Sequence, residues 1–376
     1  MIFSAFRFMK FDKSKSFGLV FGILLCTFLI GQQISLLFFH MDMIGCLVNN
    51  TNTEVWVIDN VNRNANQLGR IDDRYLREVQ SIEGVEKAYP IVIVNTQAKF
   101  ADGQNANVFL VGSEAPNFVA GPDTTKIVAG NRNNLVQDGA VSADYFDAMT
   151  FGGTTNVGTK FEINGKQAII KAQTRGVRGL AVNFLYTILD RARFYGNFPP
   201  YSYSAITVKV RTGYSAETVV KNINKHIFGV RAWQKENIRQ MTVNIVLGNT
   251  GIGIVFMLMV VFAVISGLFI IAISMYSTVI DRLKDYGTLK AIGATNGYVS
   301  RLILTQAVLY ALMGYGLATL FLEVFKIMVA NAGILLNFHI HFRIALLIVT
   351  LLMAVLSSLL AIKRINGVEP AMVFRG

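Results

Sequence analysis

The sequence predicts an α-helical membrane protein with four transmembrane helices and one α+β extracytoplasmic domain, a split βαβ part carrying a β-rich insert. Three observations carry this. Apolar blocks fall at 17–39, 251–280, 298–328 and 344–362, each near the ~20 residues needed to span a bilayer. Residues 40–250 are polar, rich in Asn and Gly, and alternate as strands do. Basic residues flank the blocks: Arg7, Lys10, Lys13 and Lys15; Arg282, Lys284, Lys290 and Arg301; Lys363, Arg364 and Arg375. The composition agrees, with 376 residues, 53% hydrophobic and only 15% charged, and a mean hydropathy of +0.45. The net charge of +12 fits either nucleic acid or a lipid surface. Its position beside apolar runs decides for the lipid bilayer and against nucleic acid.

Residues 1–16 form a short basic lead-in punctuated by Phe3, Phe6, Phe8 and Phe11, suited to rest on the inner leaflet. The run 17–39 is too long for a signal-peptide core and no small-x-small cleavage site follows it, so it reads as a signal anchor. Gly18 and Gly22 form one small-xxx-small pair for close helix approach. Cys26 and Cys46 are the two cysteines. Twenty helical residues hold them roughly 30 Å apart, so no intrachain disulfide is expected, and burial is the expected fate of Cys46.

Within the outer domain, EVWVID (54–59), KAYPIVIVNTQAKF (87–100) and NVFLVGSE (107–114) read as strands, with a helix at 72–82. YSAITVKV (203–210), a helix at 216–227 capped by Ser215, and GVRAW (229–233) follow much later. Strand-helix-strand on either side of a long insert is the split βαβ pattern. The insert, about 115–200, contains KFEI, Asn164-Gly165 and KQAIIKA, a hairpin signal that points to a β-rich subdomain. Its far end carries Phe194, Tyr195, Phe198, Tyr201 and Tyr203 around Gly196, Pro199 and Pro200. These aromatics form either an exposed contact loop or a set packed beneath a turn.

Residues 235–250 are helical in pattern and are expected to run unbroken into the second span. In the third span Gly314 and Gly316 invite close packing, while Glu323 and Lys326 are expected to pair one turn apart. The outer loop 329–343 holds His339 and His341, which have no acidic or thiolate neighbour to complete a metal site. The tail, 363–376, returns to the cytoplasm, which places both termini inside.

Between the second and third spans lies DRLKDYGTLKAIGATNG (281–297). Leu283, Tyr286, Leu289 and Ile292 recur every third residue among charges, the pattern of a short amphipathic helix. Gly293 is expected to end it, and Thr295 or Asn296 to cap the next helix. The helix is either gripped by a soluble partner, through Tyr286 and Leu289, or merely a solvated connector. No phosphate-binding GxxxxGK[ST] occurs, nor HExxH, CxxC or GxSxG. An intrinsic enzyme is therefore not expected, and energy for work has to come from a partner.

The segment KDYGTLKAIGATNGYVSRLILTQAVLYALMGYGLA resembles the hallmark stretch of FtsX-like, MacB-type ABC permeases. One helix, a large outer domain and three further helices is also that family's layout, and the split βαβ with its insert resembles the family's porter and sabre subdomains. The tail VEPAMVFRG and GLAVNFLYTILDRARFYG are most similar to the DevC branch. The resemblance implies a homodimer in the inner membrane with two cytoplasmic ATPase subunits, which bind ATP and Mg. It also implies that Leu283, Tyr286, Gly287, Leu289, Lys290, Ile292 and Gly293 form the coupling helix. Many relatives carry a glutamate where this chain has Gln306 followed by Ala307, so no role of that acid transfers. DevC-like members further imply a periplasmic membrane-fusion adaptor, here met by the aromatic loop, and an outer-membrane channel. The expected function is export of a glycolipid or other hydrophobic compound. The alternative is FtsX-like signalling that activates an extracytoplasmic enzyme without transport, and a third reading is a lone receptor.

Overall fold

The computed structural model describes residues 13–366; the Phe-punctuated lead-in through residue 12 and the tail from Gly367 lie outside the described residues. In chain order the first elements are α1 Lys13–Ile44, α2 Cys46–Asn49, β1 Val55–Asp59, β2 Ile71–Asp72, α3 Arg74–Gln80, β3 Val85–Lys99 and β4 Asn105–Ser113. Then come β5 Ile127–Gly130, β6 Ala140–Asp144, β7 Lys160–Ile163, β8 Lys166–Thr174, β9 Asn183–Ile188, α4 Leu189–Gly196 and β10 Ser202–Tyr203. The last are β11 Ala205–Val210, α5 Ala216–His226, β12 Val230–Gln234, α6 Lys235–Thr250, α7 Ile252–Asp281, α8 Leu283–Ala291, α9 Asn296–Ala330 and α10 Ile340–Asn366. The chain forms two compact units, one of them His40–Gly251 and the other made of the sequences before and after it.

In the unit His40–Gly251 four strands pair antiparallel in the order β12-β1-β11-β3. Alternate side chains of a strand point to opposite faces, so each face needs its own cover. On one face Val55, Val57 and Val208 meet Val79 of α3 and Val219 and Ile223 of α5. On the other, Trp56, Ile58 and Ile91 meet Leu47 and Val48 of α2 and Ile238 of α6. Ser215 caps α5 by accepting from the Thr218 amide at 3.1 Å. This is the split βαβ pattern. Cys46 is buried, and burial pushes its thiol up to about 12.

The insert is β-rich, but its strands join the same sheet. β3 is long enough to serve twice: its first half pairs with β11, and its second half pairs with β4 and, at Ala98 and Lys99, with β7. β9 extends β4 in parallel, and β8 carries β5, β6 and β7. The hairpin stands as read, with Asn164 (φ 50°) and Gly165 (φ 71°) both left-handed as a two-residue type I′ turn requires. A second core of Val108, Leu110, Val141, Phe161, Ile170 and Leu185 fills this end.

Beside it sits a buried acidic pair. Asp144 accepts from the amides of Val177 (2.7 Å) and Phe146 (3.1 Å) and from the Thr174 hydroxyl (3.0 Å). Asp147 is only 5% exposed and its Oδ2 has no hydrogen-bond partner in the protein. Burial, and then the Asp144 charge, push its carboxyl up to about 7 against the opposing pull of Arg178.

In the other unit α1, α7, α9 and α10 are long and apolar enough to cross a membrane. Ile23 and Cys26 of α1 pack with Ile271 and Met275 of α7, Ile303 and Ala307 of α9, and Met353 and Ala354 of α10. Gly314 permits this: a Cβ there would lie 2.5 Å from a methyl of Ile23. Gly22 is similarly crowded by Ile270, whereas Gly18 and Gly316 face open space and play no packing part. Met257, Phe262, Phe269 and Ile273 of α7 stay exposed, as a bilayer-facing surface requires.

Two expectations are corrected. The helix over 235–250 does not run on into the second span, because Gly251 turns left-handed (φ 69°) and separates α6 from α7. Glu323 pairs with Arg343 at 2.5 Å rather than with Lys326. The reason is that α10 begins at Ile340, before the predicted 344, so Arg343 sits in its first turn within reach of Glu323. The Lys326 ammonium instead lies 5.8 Å from the centre of the Phe338 ring.

Candidate coupling site at helix α8

Helix α8 is held between α7 and α9 and closed at its end by a Schellman motif. The Gly293 amide donates to the Lys290 carbonyl (3.0 Å) and the Ala294 amide to the Leu289 carbonyl (2.9 Å). Gly293 has φ 102°, a conformation that needs a residue without Cβ. Thr295, not Asn296, caps α9 by accepting from the Tyr298 amide at 3.3 Å.

The inward face of α8 is tied to two spans. Tyr286 is 2% exposed, inside the core built by α1, α7, α9 and α10, and its hydroxyl donates to Gln306 Oε1 of α9 at 3.3 Å. Burial pushes the Tyr286 phenol up to about 12, so it stays protonated and acts as donor. Leu289 packs against the same core, and Gly287 and Arg282 are buried. Lys290 Nζ donates to the Ile365 carbonyl at 2.7 Å, placing a cation on a carbonyl in the last described turn of α10. At the foot of α1, Lys15 pairs with Asp281 and Ser16 shares a 2.7 Å hydrogen bond with the Tyr310 hydroxyl.

The sequence reading therefore placed the face wrongly: Tyr286 and Leu289 turn inward, and the solvent side consists of Lys284, Asp285, Thr288, Ala291 and Ile292. Ile292 is 77% exposed. The physical reason is the helical period. Every third residue drifts 60° per step at 3.6 residues per turn, so Leu283 and Ile292 end about half a turn out of phase. Gln306 and the Ile365 carbonyl were missed as partners. The signal that could have found the inner face is the Arg282–Tyr286–Leu289–Lys290 stripe.

The aromatic loop divides. Tyr195 belongs to the core, 1% exposed, with its hydroxyl donating to the Gln167 carbonyl at 2.7 Å, so it is no contact residue. Phe198 and Tyr203 are half-buried against the same core, with Arg70 over one ring and Arg193 over the other. Phe194 and Tyr201 are exposed, 60% and 73%. Among the described residues no group of three or more His, Cys, Asp or Glu side chains is placed to hold a metal ion.

These helices match a known family. Residues 237–370 match the model of the FtsX-like permease C-terminal domain. The matched stretch includes α8 and the three spans α7, α9 and α10. Four helices long and apolar enough to span, together with this match, support an integral membrane protein. No curated protein matches the chain. Among solved structures it is similar to the periplasmic region of MacB from Actinobacillus actinomycetemcomitans, at 12% identity and a TM-score of 0.37, over 51% of this chain and 94% of that one. It is also similar to the extracellular domain of the noncanonic ABC-type transporter YknZ from Gram-positive bacteria, at 11% identity and a TM-score of 0.36, over 48% and 100%.

Proposed function

We propose that this chain is the permease subunit of an ABC exporter in the inner membrane, driven by separate ATPase subunits that bind ATP and Mg and press on the solvent face of α8. The single observation that carries the reading is the two-sided build of α8 within the permease-family stretch. Its outer face offers Lys284, Thr288 and Ile292, while its inner face is tied to α9 through Tyr286–Gln306 and to α10 through Lys290–Ile365. A load on the outer face is thereby delivered to two spans at once, through a buried aromatic and a charged helix-end contact. The basic flanks of the spans support a cytoplasmic position for α8 and both termini, with His40–Gly251 on the far side. Homodimerisation, export of a hydrophobic compound, and an adaptor meeting Phe194 and Tyr201 complete the proposal.

The test is affinity purification of the tagged chain from native membranes in mild detergent. An ABC ATPase should be recovered at about one copy per permease chain, and transport should require ATP hydrolysis by it. Recovery of the intact chain without any ATPase would sink the proposal.

A further inference from the structure

We infer that the unit His40–Gly251 contains a binding site for an uncharged amphiphile, in a cavity of about 440 Å³ whose lining has no charged side chain. In a chain of net charge +12 a neutral lining is a selective feature. Four carboxamides lie in its lining: Asn64, Asn66, Gln67 and Asn95. Such groups donate and accept without bearing charge, so they match hydroxyls and amides. Asn66 is held in place from two directions. Its Nδ2 donates to the Ile44 carbonyl at 2.9 Å, and its backbone amide donates to Asn64 Oδ1 at 2.9 Å. Its own Oδ1, buried, is left with no partner in the protein.

Much of the rest of the lining is apolar, including Leu68, Ile93, Phe109, Val182 and Phe184. Phe109 and Phe184 meet edge to face at 5.9 Å, which stiffens that part of it. The turn that delivers Leu180 and Val182 is strained. Its Ala181 has φ 57°, and the Gly179 amide closes it on the Val182 carbonyl at 3.1 Å. A Cβ on Gly179 would come within 2.4 Å of Val182, so the close approach is available to glycine alone. Strain of this sort gathers at ligand clamps. The volume lies in the range of small-molecule sites and excludes a folded partner. A phosphate or carboxylate entering it would find no cation and would lose its hydration uncompensated. A lining that combines apolar side chains with neutral hydrogen-bonding groups thus selects a molecule with an alkyl part and an uncharged hydroxyl- or amide-bearing head. This assignment does not rest on the export reading, because binding is measured without an ATPase.

The test uses the full chain in phosphatidylcholine nanodiscs and two photoactivatable probes, octyl glucoside and octyl sulfate, each with a diazirine in the same alkyl tail. Cross-linked peptides are mapped by mass spectrometry, with labelling of the exposed surface of α7 as the internal reference. The glucoside probe should label the segments 64–68 and 180–184, and the sulfate probe should label them about tenfold less. Val182→Trp, which fills the cavity, should reduce glucoside labelling there by about tenfold. Asn95→Ala, at an exposed strand position where folding is not at stake, should reduce it by roughly fivefold, the worth of one neutral hydrogen bond. Absence of glucoside label from both segments, equal labelling by the two heads, or labelling that survives both substitutions overturns the assignment.

Discussion

The phenol of Tyr286 donates to Gln306 Oε1 across 3.3 Å, joining the short helix α8 to the third span inside a buried core. A buried acceptor stripped of its donor costs about 1–3 kcal/mol, while removing both members with shape preserved can be nearly neutral. Tyr286→Phe should therefore destabilise the purified protein by about 1–3 kcal/mol, and Tyr286→Phe with Gln306→Leu should recover most of the loss. Thermal unfolding of the three variants in one detergent checks this. If the double variant is as unstable as the sum of the single ones, the two residues are not coupled.

Asp147 gives a pH dependence whose sign can be worked out. Its folded carboxyl is raised to about 7 from the usual value of 3.8, so between these values the folded state holds a proton that the unfolded state has lost. Stability then falls as pH rises from about 4 to 7 and levels off above. The contribution is at most a few kcal/mol, roughly 1.36 for each pH unit in that window. Asp147→Asn should remove this decline and stabilise the protein at pH 8 while changing little at pH 4. Unfolding midpoints at the two pH values decide it; a variant that is equally affected at both would show that Asp147 does not titrate in the window.

Much of the fold was legible because alternation and apolar blocks report burial directly. The Asn164-Gly165 turn and the Ser215 cap are written in residue types that only those conformations favour. The short strands β5, β6 and β9 were not foreseen. β5 has only four residues, and β6, AVSAD, is buried throughout and so lacks the alternation of a half-exposed strand. At the candidate site the sequence located α8 but not its orientation. The Ile365 carbonyl that holds Lys290 lies 75 residues away, and no local pattern encodes such a contact. Gly314 and Gly316 looked equivalent for a related reason, since which glycine faces Ile23 depends on the rotation of α9.

That difference between glycines is itself testable. A side chain at Gly314 would be driven into Ile23, where overpacking typically costs 1–3 kcal/mol, whereas Gly316 opens onto free space. Gly314→Leu should lower the unfolding temperature and the yield of folded protein; Gly316→Leu should do neither. Equal tolerance of both would mean that α1 and α9 do not approach as closely as described.

The last prediction separates the two faces of α8. Leu289 packs into the protein's own core, while Ile292 is 77% exposed at the end of the solvent side. An Asp at Leu289 buries a carboxylate without a partner, and removing a buried apolar contact in this way costs several kcal/mol of folding stability. An Asp at Ile292 meets water in the isolated subunit and costs it almost nothing. If an ATPase covers Ile292, however, the same charge is buried at the interface, and each 1.4 kcal/mol of penalty weakens the complex about tenfold. Leu289→Asp should thus reduce the amount of folded permease, and Ile292→Asp should leave it folded but unable to hold the ATPase. Lys284→Ala, at the charged rim, should alter salt dependence more than affinity. Pull-down of the ATPase at matched membrane abundance, with unfolding temperature measured on the same samples, reads both effects. A stable Ile292→Asp variant that retains the ATPase at wild-type affinity would remove the solvent face of α8 from the interface.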